Sequence, residues 1–318
     1  MKLMILDGNS IVNRAFYGVR MLNAPDGTPT NGVYGFISIL QKLLDSQSPD
    51  AVCVAFDVHA PTFRHEKFAE YKGKRKPMPD ELVAQMPVLK RVLDAMGIRR
   101  YECAGWEADD ILGTAGKICG ENGWDCLVVT GDKDSFQLIT DSTHVFHVKS
   151  RMGQTETTEY SPAVFEDEYG FTPPHIVDLK ALMGDASDNI PGVPGVGEKT
   201  ATELIRRYGS IDAIYGDIDG IDVKDGVRKK LIAGKESAFI SYDLATIRTD
   251  VPIAFAPEEN RWTLTKSDGL YELFHTLGFN KFIDKWGLEA GEESAAAAES
   301  LKLPNIDVLD EAGISALE

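Results

Sequence analysis

The chain is 318 residues long, 43% hydrophobic and 26% charged, with four cysteines and a formal net charge of −17. That length supports a sizeable core and about two domains. No apolar run approaches the roughly 18 residues of a membrane span, and the N-terminus carries no signal-peptide pattern.

In chain order, the first element is the apolar run MKLMILDG, which stops at Asp7. AVCVAFD stops at Asp57, and CLVVTGDKD delivers Asp132 and Asp134. Continuous Val, Ile, Leu and Cys runs of this length read as strands buried on both faces, as in parallel sheets. Parallel strands present their last residues at one edge, so these aspartates should converge in one crevice. Helical stretches at Tyr34–Ser46, Glu81–Met96 and Asp109–Asn122 alternate with the runs. The rhythm predicts an α/β domain with a mainly parallel sheet over residues 1–171.

After Asp57 comes FRHEKFAEYKGKRKPMP (63–79), basic, aromatic and proline-terminated. A charge run alone reads as a solvated helix and loop. Its place beside Asp57 favours a basic arch over about 63–95, with Arg64, Lys72 and Arg75 able to hold phosphates. Glu107-Ala108-Asp109-Asp110 opens the next helix, where the macrodipole favours acids, though capping explains one of the three at most. In a helix, 107 and 110 share a face while 109 projects roughly 100° away from 110. In GDKD, Asp132 and Asp134 alternate and would point the same way if strand geometry persists. Lys133 would then face away. So many carboxylates at one rim predict a hard-metal site for two or more Mg²⁺ or Mn²⁺ ions.

His144 and His147 stand three residues apart, but no third nitrogen or sulfur ligand lies nearby in the sequence, so they read as strand-surface histidines. No GxxxxGK[ST] loop is present, which argues against an ATP-driven motor. Cys53, Cys103, Cys119 and Cys126 lack CxxC spacing and read as reduced thiols of a cytoplasmic protein.

From about Thr172 short helices with Gly/Pro turns take over: Ile176–Met183, Lys199–Arg207, Ile211–Ile214, Val227–Ala233 and Ser237–Thr246. They predict a helical domain over 172–288, followed by an acidic mobile tail at 289–318. Asp185 and Asp188 form a DxxD pair, a weak signal alone. The sequence after it, IPGVPGVGEKTA (190–201), is a glycine hairpin opening a helix, in which backbone can approach phosphate closely. This is a helix-hairpin-helix signature, a sequence-independent duplex contact.

The acidity does not exclude a DNA partner. Residues 289–318 contribute −7 and the nine carboxylates Asp7, Asp57, Glu107, Asp109, Asp110, Asp132, Asp134, Asp185 and Asp188 another −9, leaving about −1 elsewhere. Placement of charge therefore decides the partner.

Together LDGNSIVNRAFYG, FD…TFRHE…YKGKRKPMP, WEADDILGT, TGDKDSFQLI and GDASDNIPGVPGVGEKTA closely resemble the bacterial 5′→3′ exonuclease (flap endonuclease) family over about residues 1–288. The resemblance implies a PIN-like α/β catalytic domain, a helix-hairpin-helix domain, and a Mg²⁺-dependent nuclease. Its implied substrates are DNA 5′ ends, flaps and nicks, including RNA-primed ends. By motif, the nine acids match the family's metal positions, with Asp7, Asp110 and Asp132 carrying the chemistry together with Lys72 and Arg75. Arg14, Tyr17, Arg64, Tyr71, Lys72 and Arg75 match substrate-gripping positions. Gly192, Val193, Gly195, Val196, Gly197, Lys199 and Thr200 match the duplex site, where family members also hold K⁺. Two-metal hydrolysis by a free-standing monomer is the expectation, with no membrane partner. Departures are small: Cys103-Ala104-Gly105-Trp106 before the acidic helix, where Pro or charged residues are more usual, and Gly113 where Ala is common.

Overall fold

A computed structural model describes residues 1–151 and 154–291. Most of the expected tail, 292–318, lies outside the described residues. The chain divides into two compact units, Met1–Leu264 and Thr265 onward.

The first unit is built on a six-stranded sheet of β1 (Lys2–Asp7), β2 (Ala51–Phe56), β3 (Arg99–Glu102), β4 (Asp125–Thr130), β5 (Thr143–Arg151) and β6 (Gln154–Tyr160), in the order β3-β2-β1-β4-β5-β6. The first five strands are parallel and β6 is antiparallel to β5. β2 is buried along its whole length and β1 from Leu3 on, as their unbroken apolar runs require. Leu6 pairs with Val54 on one side and Val129 on the other, so Asp7, Asp57 and the residues after Thr130 leave the sheet at the same edge.

The helices of this part are α1 (Gly8–Gly18), α2 (Asn31–Gln47), α3 (Phe63–Lys67), α4 (Asp80–Val83), α5 (Gln85–Ala95), α6 (Ala108–Glu121) and α7 (Pro162–Tyr169). Within the expected 63–95 arch, residues 73–77 are exposed, but the second half belongs to the body. α5 packs on α2, and the fully buried Gln85 amide accepts from the Gly32 N–H and donates to Asn31 Oδ1. A side chain so committed makes α5 a core element.

The rest of this unit holds α8 (Ile176–Met183), α9 (Glu198–Tyr208), α10 (Ile211–Gly216), α11 (Asp225–Ala233) and α12 (Lys235–Ala245). α8 packs against α9 and α12. The second unit contains α13 (Asp268–Thr276) and α14 (Asn280–Trp286), joined by a cluster of Phe274, Phe279, Phe282 and Trp286.

Gly113, on α6, is required by packing. A Cβ there would lie 2.8 Å from Ile247 Cγ2 and 2.9 Å from the Arg248 carbonyl. The four cysteines are free thiols, and Cys53, Cys119 and Cys126 are buried.

Candidate metal centre and nucleic-acid surface

Asp7 ends β1 and caps α1: its carboxylate accepts from the Ser10 N–H at 2.9 Å and from Thr130 Oγ1 at 3.1 Å. Asp57 remains exposed and accepts from the Ala108 N–H. Asp109 receives Ser135 Oγ at 3.2 Å. Burial, then repulsion from Asp57, pushes the Asp7 carboxyl up to about 7. Burial, then Asp132, does the same for Asp134, also to about 7. Asp109 is driven well above the usual carboxylate range by burial, then by Asp7 and Asp132. These aspartates therefore crowd one another and hold their protons more tightly than free carboxyls, Lys180 beside Asp134 offsetting only part of the effect.

The GDKD segment does not continue as strand. β4 ends at Thr130, and a 3₁₀ turn begins at Asp134, whose N–H donates to Asp132 Oδ1 at 3.0 Å. Asp132 and Asp134 are thus oriented by a turn rather than by strand alternation. Lys133 is exposed and donates to the Tyr169 hydroxyl.

Five of the nine acids are bound to basic side chains. Asp110 is fully buried and held through both oxygens by Arg64, at 2.8 Å each, while also accepting from the Glu107 and Arg248 N–H groups. Lys72 Nζ lies 2.8 Å from Glu107, and Arg75 lies 2.5 Å from Asp188. Lys180, on α8, bridges Asp134 and Asp185, reaching the latter at 2.6 Å. Its charge outweighs the burial cost and draws Asp185 down to about 2. As they lie, no three His, Cys, Asp or Glu side chains among the described residues surround a single point that could hold an ion. Lys72, Arg75 and Lys180 stand among these acids instead.

This geometry corrects several expectations. Asp110 does not face the crevice. It reaches back to the helix start and inward to Arg64, and Asp109, one residue earlier and 100° round the helix, faces the other acids. Arg64 is no phosphate grip either: it is 2% exposed and donates to Asp110 and to the Leu244 and Thr246 carbonyls. Tyr71 is also buried, its hydroxyl donating to Glu107 at 3.1 Å. Burial, then the two neighbouring carboxylates, holds that phenol far above its ordinary range. Arg75 keeps an exposed edge, and Lys72 is largely enclosed.

Arg14 donates to the Gly131 carbonyl at 2.7 Å and, with the exposed Tyr17, lines a cavity of about 330 Å³ shared with Asp132. His144 is a surface residue paired with Glu159, but His147 is buried against the Gly131 carbonyl, and burial lowers it to about 4.

In the hairpin, Gly192, Val193 and Val196 are core. Gly192 has φ +63, and a Cβ there would fall 2.6 Å from Gly184 Cα. Its N–H donates to Ser241 Oγ and its carbonyl accepts from Ser237. Close backbone packing, rather than open approach to phosphate, requires that glycine. Gly195, Gly197 and Lys199 are exposed and Thr200 half-buried, and α9 starts at Glu198 with Gly197 as cap. Of the residues expected to meet duplex, only Gly195, Gly197, Lys199 and Thr200 thus reach the surface. Lys230 Nζ donates to the Gly195 carbonyl at 2.9 Å.

Lys180, Ser10, Thr130 and Ser135 were not found by sequence reasoning. Ser10 alone carried a local signal, three residues after a strand-end aspartate.

The model of the N-terminal resolvase-like domain of 5′-3′ exonucleases matches residues 2–170, and that of their C-terminal SAM fold matches 171–268. The DNA polymerase I of Bacillus subtilis is 43% identical over 307 residues, 96% of this chain and 34% of that protein. T5 5′-exonuclease with divalent metal ions (zinc) bound superposes with a TM-score of 0.62 at 26% identity, over 78% of this chain and 90% of that one. The bacteriophage T5 flap endonuclease, in a pseudo-enzyme–product complex with DNA and metal ions, shares the fold at TM-score 0.64 and 24% identity, over 87% and 100%. The PIN-like, resolvase-type α/β body and SAM-like helical part define a nuclease-family architecture. The chain belongs to the 5′-3′ exonuclease family. It spans about a third of the length of the curated relatives it matches, at 34% of the B. subtilis protein.

Proposed function

We propose that this chain is a divalent-cation-dependent, structure-specific 5′→3′ exonuclease and 5′-flap endonuclease acting on DNA. The observation that carries the reading is the convergence of Asp7, Asp57, Asp109, Asp132 and Asp134 outside one sheet edge, close enough to raise one another's carboxyls, in a chain of this family. All-oxygen donors carrying excess negative charge suit hard cations, Mg²⁺ first and Mn²⁺ as substitute. Those five acids would hold the ions, with Asp185 joining once freed from Lys180, in a two-metal arrangement. When bound, the ions supply the Lewis-acid chemistry of phosphodiester hydrolysis.

The chain's own groups prepare that chemistry. Ser10 and Thr130 fix the Asp7 carboxylate, and Ser135 fixes Asp109. Arg75 and Lys72 offset charge on an entering phosphate. Backbone N–H groups at the start of α9 receive duplex phosphate without reading sequence. Specificity is therefore for the join between a 5′ single strand and duplex, and RNA-primed ends, primer removal and repair follow as roles. K⁺ at the hairpin would compete with the Lys230 ammonium at the Gly195 carbonyl. A cytoplasmic monomer is the working state.

An end-labelled 5′-flap DNA tests the reading directly. Cleavage at the junction in Mg²⁺ and none in EDTA is expected. Intact substrate under both conditions would overturn it.

A further inference from the structure

A second cavity, of about 410 Å³, adjoins the acid rim on the β2 side. Asp57, His59, Lys72, Arg75, Trp106 and Glu107 are among its lining residues. Resting on the function proposed above, we propose that Trp106 is the stacking platform for one nucleobase of the single-stranded 5′ segment, whose phosphate meets Arg75 and Lys72.

Three observations carry this. The cavity lies in the size range of small-ligand sites, roughly 300–1,000 Å³, and so admits a nucleotide. Its lining carries both signs: Lys72 and Arg75 stand among Asp57 and Glu107, with Lys72 Nζ 2.8 Å from Glu107 and Arg75 keeping an exposed edge. A lining of mixed charge with an aromatic ring suits a nucleotide, a neutral ring with a single phosphate, better than a bare polyanion. Trp106 is also held in place. Phe63 packs on it with ring centroids 5.4 Å apart, and the adjoining Thr62–His65 turn is fixed by the Thr62 N–H donating to His65 Nδ1 at 3.1 Å. A ring already buttressed loses little freedom when a base stacks on it, and base–aromatic stacking tolerates every sequence.

The test measures binding of 5′-flap DNA in Ca²⁺, with abasic residues placed one at a time over the first four flap nucleotides. At one position the abasic residue should weaken wild-type binding about tenfold. Trp106→Leu should weaken binding of intact flap by a similar factor and show no further loss at that position. Trp106→Phe should stay within about threefold of wild type. The wild-type protein, which has four tryptophans, should lose fluorescence on binding intact flap, and Trp106→Phe should abolish that loss. Should Trp106→Leu fail to fold, the abasic scan and the fluorescence difference decide alone. Losses that add independently at every position, or a quench that survives Trp106→Phe, overturn the stacking role. Wild-type protein that neither binds nor cleaves flap DNA would instead overturn the function on which it rests.

Discussion

Two groups of carboxylates stand within one rim and behave oppositely. Glu107, Asp110, Asp185 and Asp188 are each bound to an arginine or lysine. Asp7 and Asp109 meet mainly other acids and hydroxyl or amide donors. The first group helps hold the metal-free fold together, while the second strains it. Motif membership does not distinguish them, because Asp109 and Asp110 are neighbours. The partner each side chain finds does.

The largest effect should separate those neighbours. Asp109→Ala should lower flap cleavage by at least about a thousandfold without reducing the melting temperature, because it removes a carboxyl that burial and its acidic neighbours destabilise. Asp110→Ala should be read first in stability: it leaves buried Arg64 with Glu107, at 3.5 Å, as its remaining carboxylate, and removing the tighter partner should cost up to about 3–5 kcal/mol, measured by urea unfolding. Equal stability of the two variants would break the comparison.

Lys180→Met removes the ammonium between Asp134 and Asp185. The metal-free protein should melt lower, and calorimetry should show tighter Mg²⁺ or Ca²⁺ binding because the ion no longer competes with a resident cation. Weaker binding would mean that Lys180 organises these acids rather than occupying their site.

Acid titration sharpens the same contrast. The Asp7 and Asp134 carboxyls sit near 7 when folded against an ordinary 3.8, so the folded protein keeps protons that the unfolded chain releases. In EDTA, stability should therefore fall as pH rises from about 4 to 7 and then level. Asp185, drawn down to about 2, acts only below that window, where its contribution is lost as pH falls. Asp7→Asn, which keeps an acceptor for Ser10, should flatten the decline, and thermal melts across pH would measure it. The smallest effect belongs to the exposed Lys67–Asp243 pair. Lys67→Ala should change stability by less than about 1 kcal/mol.

The sheet was legible because strands buried on both faces leave unbroken apolar runs, and the strand-end aspartates followed from parallel order. The position of Asp109 relative to Asp110 was legible as an angle but not as a direction. Which of them faced the core depended on Arg64, 46 residues away. Lys180 was illegible for the same reason, since its partner Asp134 lies 46 residues off. The 63–95 segment misled because its basic composition says nothing of Gln85, whose amide contacts draw the second half into the core.

The loop at 70–75 has one further consequence. The Lys72 N–H donates to the Asp188 carbonyl at 2.8 Å and Asn189 Nδ2 to the Glu70 carbonyl at 2.8 Å, with Lys72 held at φ +54. The loop bearing Asp185 and Asp188 is closed in turn by paired bonds between Asp185 and Ile190. The arch and the acid loop are thus zipped edge to edge. Any displacement of the 70–75 loop is therefore felt at the loop that carries Asp185 and Asp188, so the two move as one mechanical unit.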